Sequence, residues 1–158
     1  MFRAQPIRRI MTRHFLLIDA RFYTDIADEL VKGASAELES RGATYERISV
    51  PGVLEIPAAL SMVLESDRAE TFDGFVLLGC VIRGETSHYD IVANESARAI
   101  MDMAVDLGLA VGNGILTVEN GDQAWARAKV GEKNKGAAAA AAAFEMAALR
   151  ETLGIPNV

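Results

Sequence analysis

Four strand-like runs, each followed at once by a stretch with a helical repeat, leave few folds open to this chain. The runs are "HFLLIDA" at 14–20, "TYERISV" at 44–50, "GFVLLGCVI" at 74–82 and "LAVGNGILTV" at 109–118. Helical stretches follow at 24–42, 54–67, 87–108 and 122–130, with a last one at 134–154. In the first of these, Ile26, Leu30, Val31, Ala34 and Leu38 fall on one face, and Gly42 lies just past the end. Pro57 is tolerable only in the first turn of the second. The third has a polar face of Asp90, Asn94, Arg98, Asp102 and Asp106 and an opposite face of Tyr89, Val92, Ala93, Ile100, Ala104 and Leu107. The seven alanines at 137–143 read as a helix lying close to a neighbour, since Ala is the best helix former. Strand–helix alternation of this kind predicts an α/β protein with a four-stranded parallel sheet covered on both faces. With 158 residues and no linker or repeat, one domain over 14–158 accounts for the chain, preceded by a basic arm over 1–13.

Charge and composition narrow the partners. The net charge is −6, which argues against nucleic acid or an anionic membrane surface. The longest apolar run, near Gly79, is far too short to span a bilayer. Cys80 is the single cysteine, so no disulfide within the chain is possible, and it reads as a small buried hydrophobe. The arm "MFRAQPIRRIMTR" carries four arginines and no apolar leader core, so a cytoplasmic protein is expected. One cysteine and two histidines give no metal-ligand spacing.

In an open parallel sheet, ligands bind beyond the carboxyl ends of the strands. There the sequence places Arg21 and Phe22 after the first strand, and Pro51, Gly52 and Glu55 after the second. Arg83 to His88 follow the third, and Thr117 to Glu119 close the fourth. The third group stands out, because a buried run empties directly into "RGETSH". Gly84 permits a tight turn, Thr86 or Ser87 can cap the next helix, and the amides of that helix start suit an anion such as phosphate. His88 falls in the first turn, where an imidazole can move protons. Taken alone, each residue has a plainer reading. Phe22 can be a core aromatic, Glu55 a helix-start acid, and the cluster Arg127, Lys129, Lys133 and Lys135 a solvated face. His14, at the other end of its strand, reads as structural.

The segments "VPGVLEIP", "GCVIRGETSHYDIVANE", "GILTVEN", "QAWARA" and "NKGAAAA" add a further line. Their order and spacing resemble the lumazine synthase family, over nearly the whole chain. The resemblance implies a flavodoxin-like three-layer α/β/α sandwich and the condensation of 5-amino-6-ribitylaminouracil with 3,4-dihydroxy-2-butanone 4-phosphate. It implies no cofactor and no metal. By resemblance, Phe22 would stack on the pyrimidine ring, and Val53, Leu54 and Glu55 would meet the ring and ribityl chain. Val81 and Ile82 would read the pyrimidine edge through their backbone. Gly84, Glu85 and Thr86 would receive the phosphate, and His88 would transfer protons. Arg127 would reach toward the phosphate from an adjacent subunit, Lys135 would lie near the same site, and Asn113 stands where many members present an aromatic that covers the ring from the next subunit. The implied assembly is a homo-oligomer, a pentamer with sites between subunits. Riboflavin synthase is the implied protein partner. Tyr23, Leu54, Glu85 and Asn113 depart from the usual pattern, and together they suggest weaker ring or phosphate binding. A lumazine- or flavin-binding paralogue with weak residual catalysis is the alternative, and a riboflavin synthase of the same fold is a third.

Overall fold

The computed structural model describes residues 12–157. Of the basic arm expected over 1–13, all but Thr12 and Arg13 lies outside the described residues. The elements follow one another as β1 (His14–Ala20), α1 (Thr24–Ser40), β2 (Thr44–Val50), α2 (Glu55–Glu65), β3 (Gly74–Ile82), α3 (His88–Leu107), β4 (Val111–Val118), α4 (Gly121–Ala128) and α5 (Lys135–Thr152). A single turn of 3₁₀ helix at Ala69–Thr71 leads into β3. All strand pairs are parallel, in the order β2-β1-β3-β4. This is the flavodoxin-like order, in which the chain reverses its direction of travel across the sheet between β1 and β3.

Alternation along the strands divides the core in two. Phe15, Leu17, Val76, Leu78 and Cys80 point to one face and pack with α1, α4 and α5. Leu16, Ile18, Phe75, Leu77 and Val81 point to the other and meet α2 and α3. The result is a three-layer α/β/α sandwich. The alanine run works as expected from its size. Ala139, Ala140, Ala143 and Ala147 are buried, and Gly112 and Gly114 of β4 let α5 lie directly on the strand. A Cβ at Gly112 would overlap the Ala139 carbonyl, and one at Gly136 would overlap the Leu30 carbonyl of α1. Gly42 takes the left-handed conformation that ends α1, with φ of 74°.

Three expectations are corrected. Strand β2 has no buried residue; as an edge strand it receives little cover, and Ile48 is 37% exposed. Leu107 of α3 is exposed rather than core-facing, because only Val92, Ser96 and Ile100 of that helix are buried. The fourth strand begins at Val111, two residues later than read, with Leu109 and Ala110 forming its approach.

One buried charge sits among these apolar faces. Asp19 of β1 is fully buried and accepts from Arg47 at 2.8 and 2.9 Å and from the Ser49 hydroxyl at 2.7 Å, both on β2. Arg21 and Arg47 also reach Asp28 of α1, at 2.5 and 3.2 Å. Burial alone would push the Asp19 carboxyl up, but the hydrogen bonds from Arg47 and Ser49 outweigh it and hold the group below its ordinary value. The cluster ties the edge strand β2 to β1 and α1, where little apolar packing does so. His14 is likewise structural: its ring contacts Thr44 Oγ1 and Glu46 Oε2, each at 2.7 Å.

Candidate functional site

Strands β1 and β3 and the start of α2 end around one cleft of about 480 Å³. Phe22 and Tyr23 come from the turn after β1, and Pro51 to Glu55 from the turn after β2. Cys80 to Ile82 form the floor at the end of β3. Gly84, Thr86, His88, Tyr89 and Val92 close the side along the start of α3. Phe22 stands 73% exposed, too much for a core aromatic and suited to covering a flat ligand. Its turn is fixed from below, since the Arg21 amide donates to the Val50 carbonyl at 2.8 Å and the Arg21 side chain is held by Asp28.

Glu55 opens α2, where an acid is favoured by the helix dipole, and its carboxylate lies against Gly52. Its side chain makes no hydrogen bond to any described residue, so the carboxylate stays available to the cleft. At α3 the Thr86 hydroxyl accepts from the His88 amide at 3.3 Å, whereas Ser87, the N-cap, makes no side-chain cap. Gly84 does not use a left-handed conformation, and a Cβ there would meet open space. Its value is therefore the open approach to the backbone rather than a tight turn. Glu85 is exposed and is not part of the cleft wall. Arg83 pairs with Glu119 at 2.9 Å and with Asp90 at 3.5 Å, and its guanidinium lies 4.2 Å from the Tyr89 ring centre. That clasp joins the ends of β3 and β4 to the first turn of α3, next to His88. Burial pushes the Cys80 thiol up to about 11, so it remains a neutral wall group rather than a nucleophile.

Among the described residues the cleft wall has no Lys or Arg. Two cations line a second cavity, of about 380 Å³, on the outer side of β4. Its wall runs from Asn113 to Thr117 of β4, with Arg127 of α4 and Lys135 of α5. Arg127 donates only to the Gln123 carbonyl, at 3.1 Å, and neither cation has a carboxylate partner among the described residues. Asn113 uses its side-chain oxygen to accept from the Ile115 amide at 3.0 Å, on the open edge of the sheet. The two cavities share no residue.

The sequence matches the model of the 6,7-dimethyl-8-ribityllumazine synthase family over residues 12–151. The chain belongs to this family. A 6,7-dimethyl-8-ribityllumazine synthase 1 of Rhizobium meliloti (strain 1021) is 56% identical over 148 residues, 92% of this chain and 97% of the relative. A 6,7-dimethyl-8-ribityllumazine synthase of Agrobacterium fabrum is 58% identical over 144 residues, 89% of this chain and 97% of the relative. Another from Bartonella bacilliformis is 57% identical over 141 residues.

For a lumazine synthase family chain the residues singled out from sequence sort cleanly. Phe22, Val53, Leu54, Glu55, Val81, Ile82, Gly84, Thr86 and His88 line the cleft. Asn113, Arg127 and Lys135 line the second cavity, and Glu85 lines neither. Among the strand ends, that of β4 does not reach the cleft; Thr117 faces the second cavity and Glu119 pairs with Arg83. Reasoning from sequence passed over Tyr89 and Val92 as wall residues and took Cys80 as core only. Val92 lies one helical turn past His88, a spacing that would have put it on the same side. Among the described residues no helix is long and apolar enough to cross a membrane, and no three His, Cys, Asp or Glu side chains cluster as a metal site.

Proposed function

We propose that this protein condenses 5-amino-6-ribitylaminouracil with 3,4-dihydroxy-2-butanone 4-phosphate to give 6,7-dimethyl-8-ribityllumazine in the cytoplasm, as a homo-pentamer with each site between two subunits. The observation that carries the assembly is the separation of the cleft from its cations. Among the described residues, a dianionic phosphate entering the cleft meets Glu55 and no Lys or Arg, while Arg127 and Lys135 stand unpaired by carboxylates on another surface. A neighbouring copy that turns its second cavity to the cleft supplies the missing charge. In this arrangement Phe22 covers the pyrimidine ring, the backbone at Val81 and Ile82 meets its edge, and Val53, Leu54 and Glu55 hold the ring and ribityl chain. The neighbour's copy of Asn113 approaches the ring.

The chemistry needs two reactants held in line and protons moved between them. The uracil amine attacks the ketone and water leaves as the imine forms. Phosphate is expelled by elimination, and the resulting enol tautomerises to a carbonyl. The second amine closes the ring on that carbonyl with loss of a second water. Holding both partners in place contributes up to about 7–11 kcal/mol in favourable cases. His88, on the first turn of α3, is the proton carrier. Gly84 to Thr86 receive the phosphate through their backbone at the start of a 20-residue helix, with the exposed Glu85 side chain outside the cleft wall. Riboflavin synthase, which consumes lumazine, is the partner this product calls for.

The test is a steady-state assay with both substrates, corrected for the spontaneous reaction, on wild type, Arg127→Ala, His88→Ala and a co-refolded mixture of the two variants. Wild type should exceed background clearly. Arg127→Ala should raise KM for the butanone phosphate roughly 10–100-fold, the loss of a charged hydrogen bond. The mixture should recover activity above both parents, because some interfaces then hold one intact cleft and one intact cation pair. No recovery despite co-assembly would place Arg127 and His88 of one chain at the same site. A wild type that binds lumazine yet does not exceed background would make this a binding paralogue.

A further inference from the structure

Tyr23 is the one wall residue of the cleft whose polar group is unspoken for and whose ring holds another functional ring. It is the N-cap of α1, half-buried, with its ring packed against the core on the α1 side of the sheet. Its edge meets Phe22, with ring centres 4.9 Å apart and planes at 78°. Phe22 has no other aromatic neighbour among the described residues. Without Tyr23, a side chain 73% exposed would be free to change rotamer at little cost. The Tyr23 hydroxyl makes no hydrogen bond to any described residue, although the ring lines the cleft beside Cys80. Burial, and secondarily the nearby Cys80 thiol, push the phenol up, so the group is a neutral O–H donor throughout the working pH range. A donor at the margin of a largely apolar cleft, lacking a protein partner, fits a carbonyl or hydroxyl of a bound ligand.

We propose that Tyr23 is a further binding and specificity residue for the ring-bearing substrate: its ring holds Phe22 in the stacking orientation, and its hydroxyl donates to the substrate. This rests on the reading that the cleft takes the ribitylaminouracil. The two parts are separable by Tyr23→Phe, which removes only the hydroxyl, and Tyr23→Leu, which also removes the aromatic edge. Lumazine, followed by its own fluorescence, is the probe for direct binding to the assembled protein, with thermal melts confirming that each variant is folded.

Tyr23→Phe should weaken lumazine binding roughly 3–10-fold, the range of a neutral hydrogen bond. Tyr23→Leu should weaken it roughly 3–10-fold further, the range of an aromatic pair. In the assay both should raise KM for the uracil substrate and leave KM for the butanone phosphate unchanged, a split that general loosening would not give. Wild-type binding of lumazine by Tyr23→Leu, or parallel rises in both KM values, would overturn the inference alone. Failure of wild type itself to bind lumazine would overturn the reading of the cleft, and this inference with it.

Discussion

His88 has no side-chain partner among the described residues, and only its amide is engaged, by Thr86. Its ring is therefore oriented by its place on α3 and by the ligand rather than by a fixed partner of its own. Among the described residues there is no triad-like arrangement with a carboxylate behind the imidazole. Such a loosely held group contributes as a general acid or base at the lower end of the usual range, about 10²-fold. His88→Ala should accordingly lower kcat about 10²-fold, leave lumazine binding nearly unchanged, and keep a rate above the spontaneous reaction. Loss of all activity would mean that His88 does more than move protons. A single-residue reading of the sequence found His88 because it stood at a strand end with few other candidates. It could not find what Asn113 does, since a side chain closing on the amide two residues ahead leaves no mark in composition.

At the level of elements, the central strands β1 and β3 were legible because each is a nearly continuous buried run, and "GFVLLGCVI" admits no surface position before Ile82. Edge strand β2 was read at its observed bounds, 44–50, but its exposure was not, since a strand of mixed polar and apolar residues reads the same whether or not a helix covers it. Asp19 was passed over as part of "HFLLIDA"; a carboxylate within an apolar run, two residues before an arginine, was the available signal. Its cluster sets a test at this scale. Because Asp19 is held below its ordinary value of 3.8, the stability it contributes is complete above that value and is lost as pH falls through the folded value. Asp19→Asn should cost roughly 3 kcal/mol at pH 7, the low end for breaking a buried pair, because Arg47 keeps about a third of its side chain in water. The gap between wild-type and variant urea midpoints should shrink at pH 3. A gap that does not change with pH would show that packing, not charge, is what Asp19 supplies. The contact between β4 and α5 is tested separately. Gly112→Ala puts a methyl into the Ala139 carbonyl, so α5 must lift and the protein should lose about 1–3 kcal/mol, as over-packing does. Gly84→Ala, where the added Cβ meets open space, is the control.

Over the whole molecule, the outward side of the α2–α3 layer is the feature that a solitary subunit does not explain. Ile91, Met101, Val105 and Leu107 of α3 and Met62 of α2 are all exposed, three of them by more than 60%. Single exposed apolar residues need no explanation, but Met101 and Val105, one helical turn apart, form part of a contiguous face. On the opposite side of the sheet, α5 is packed tightly and shows its apolar residues chiefly near its end, at Met146 and Leu149, with Leu153 just past it. The asymmetry favours α3 as the layer that meets neighbouring copies. Such an assembly is also what the proposed function asks of the separated cleft and cation cavity. Function and assembly then fail together. Val105→Glu, on a position 71% exposed in the single chain, should leave the fold of each subunit intact. It should move the protein in sedimentation velocity from the proposed particle of five subunits toward smaller species. Turnover should fall with the fraction of assembled protein, while far-UV circular dichroism stays unchanged. Retention of the large species together with full activity would remove α3 from the interface and send the search to the exposed edge of β2. A wild-type particle of dozens of subunits would instead show that the pentamer is a building block of a shell.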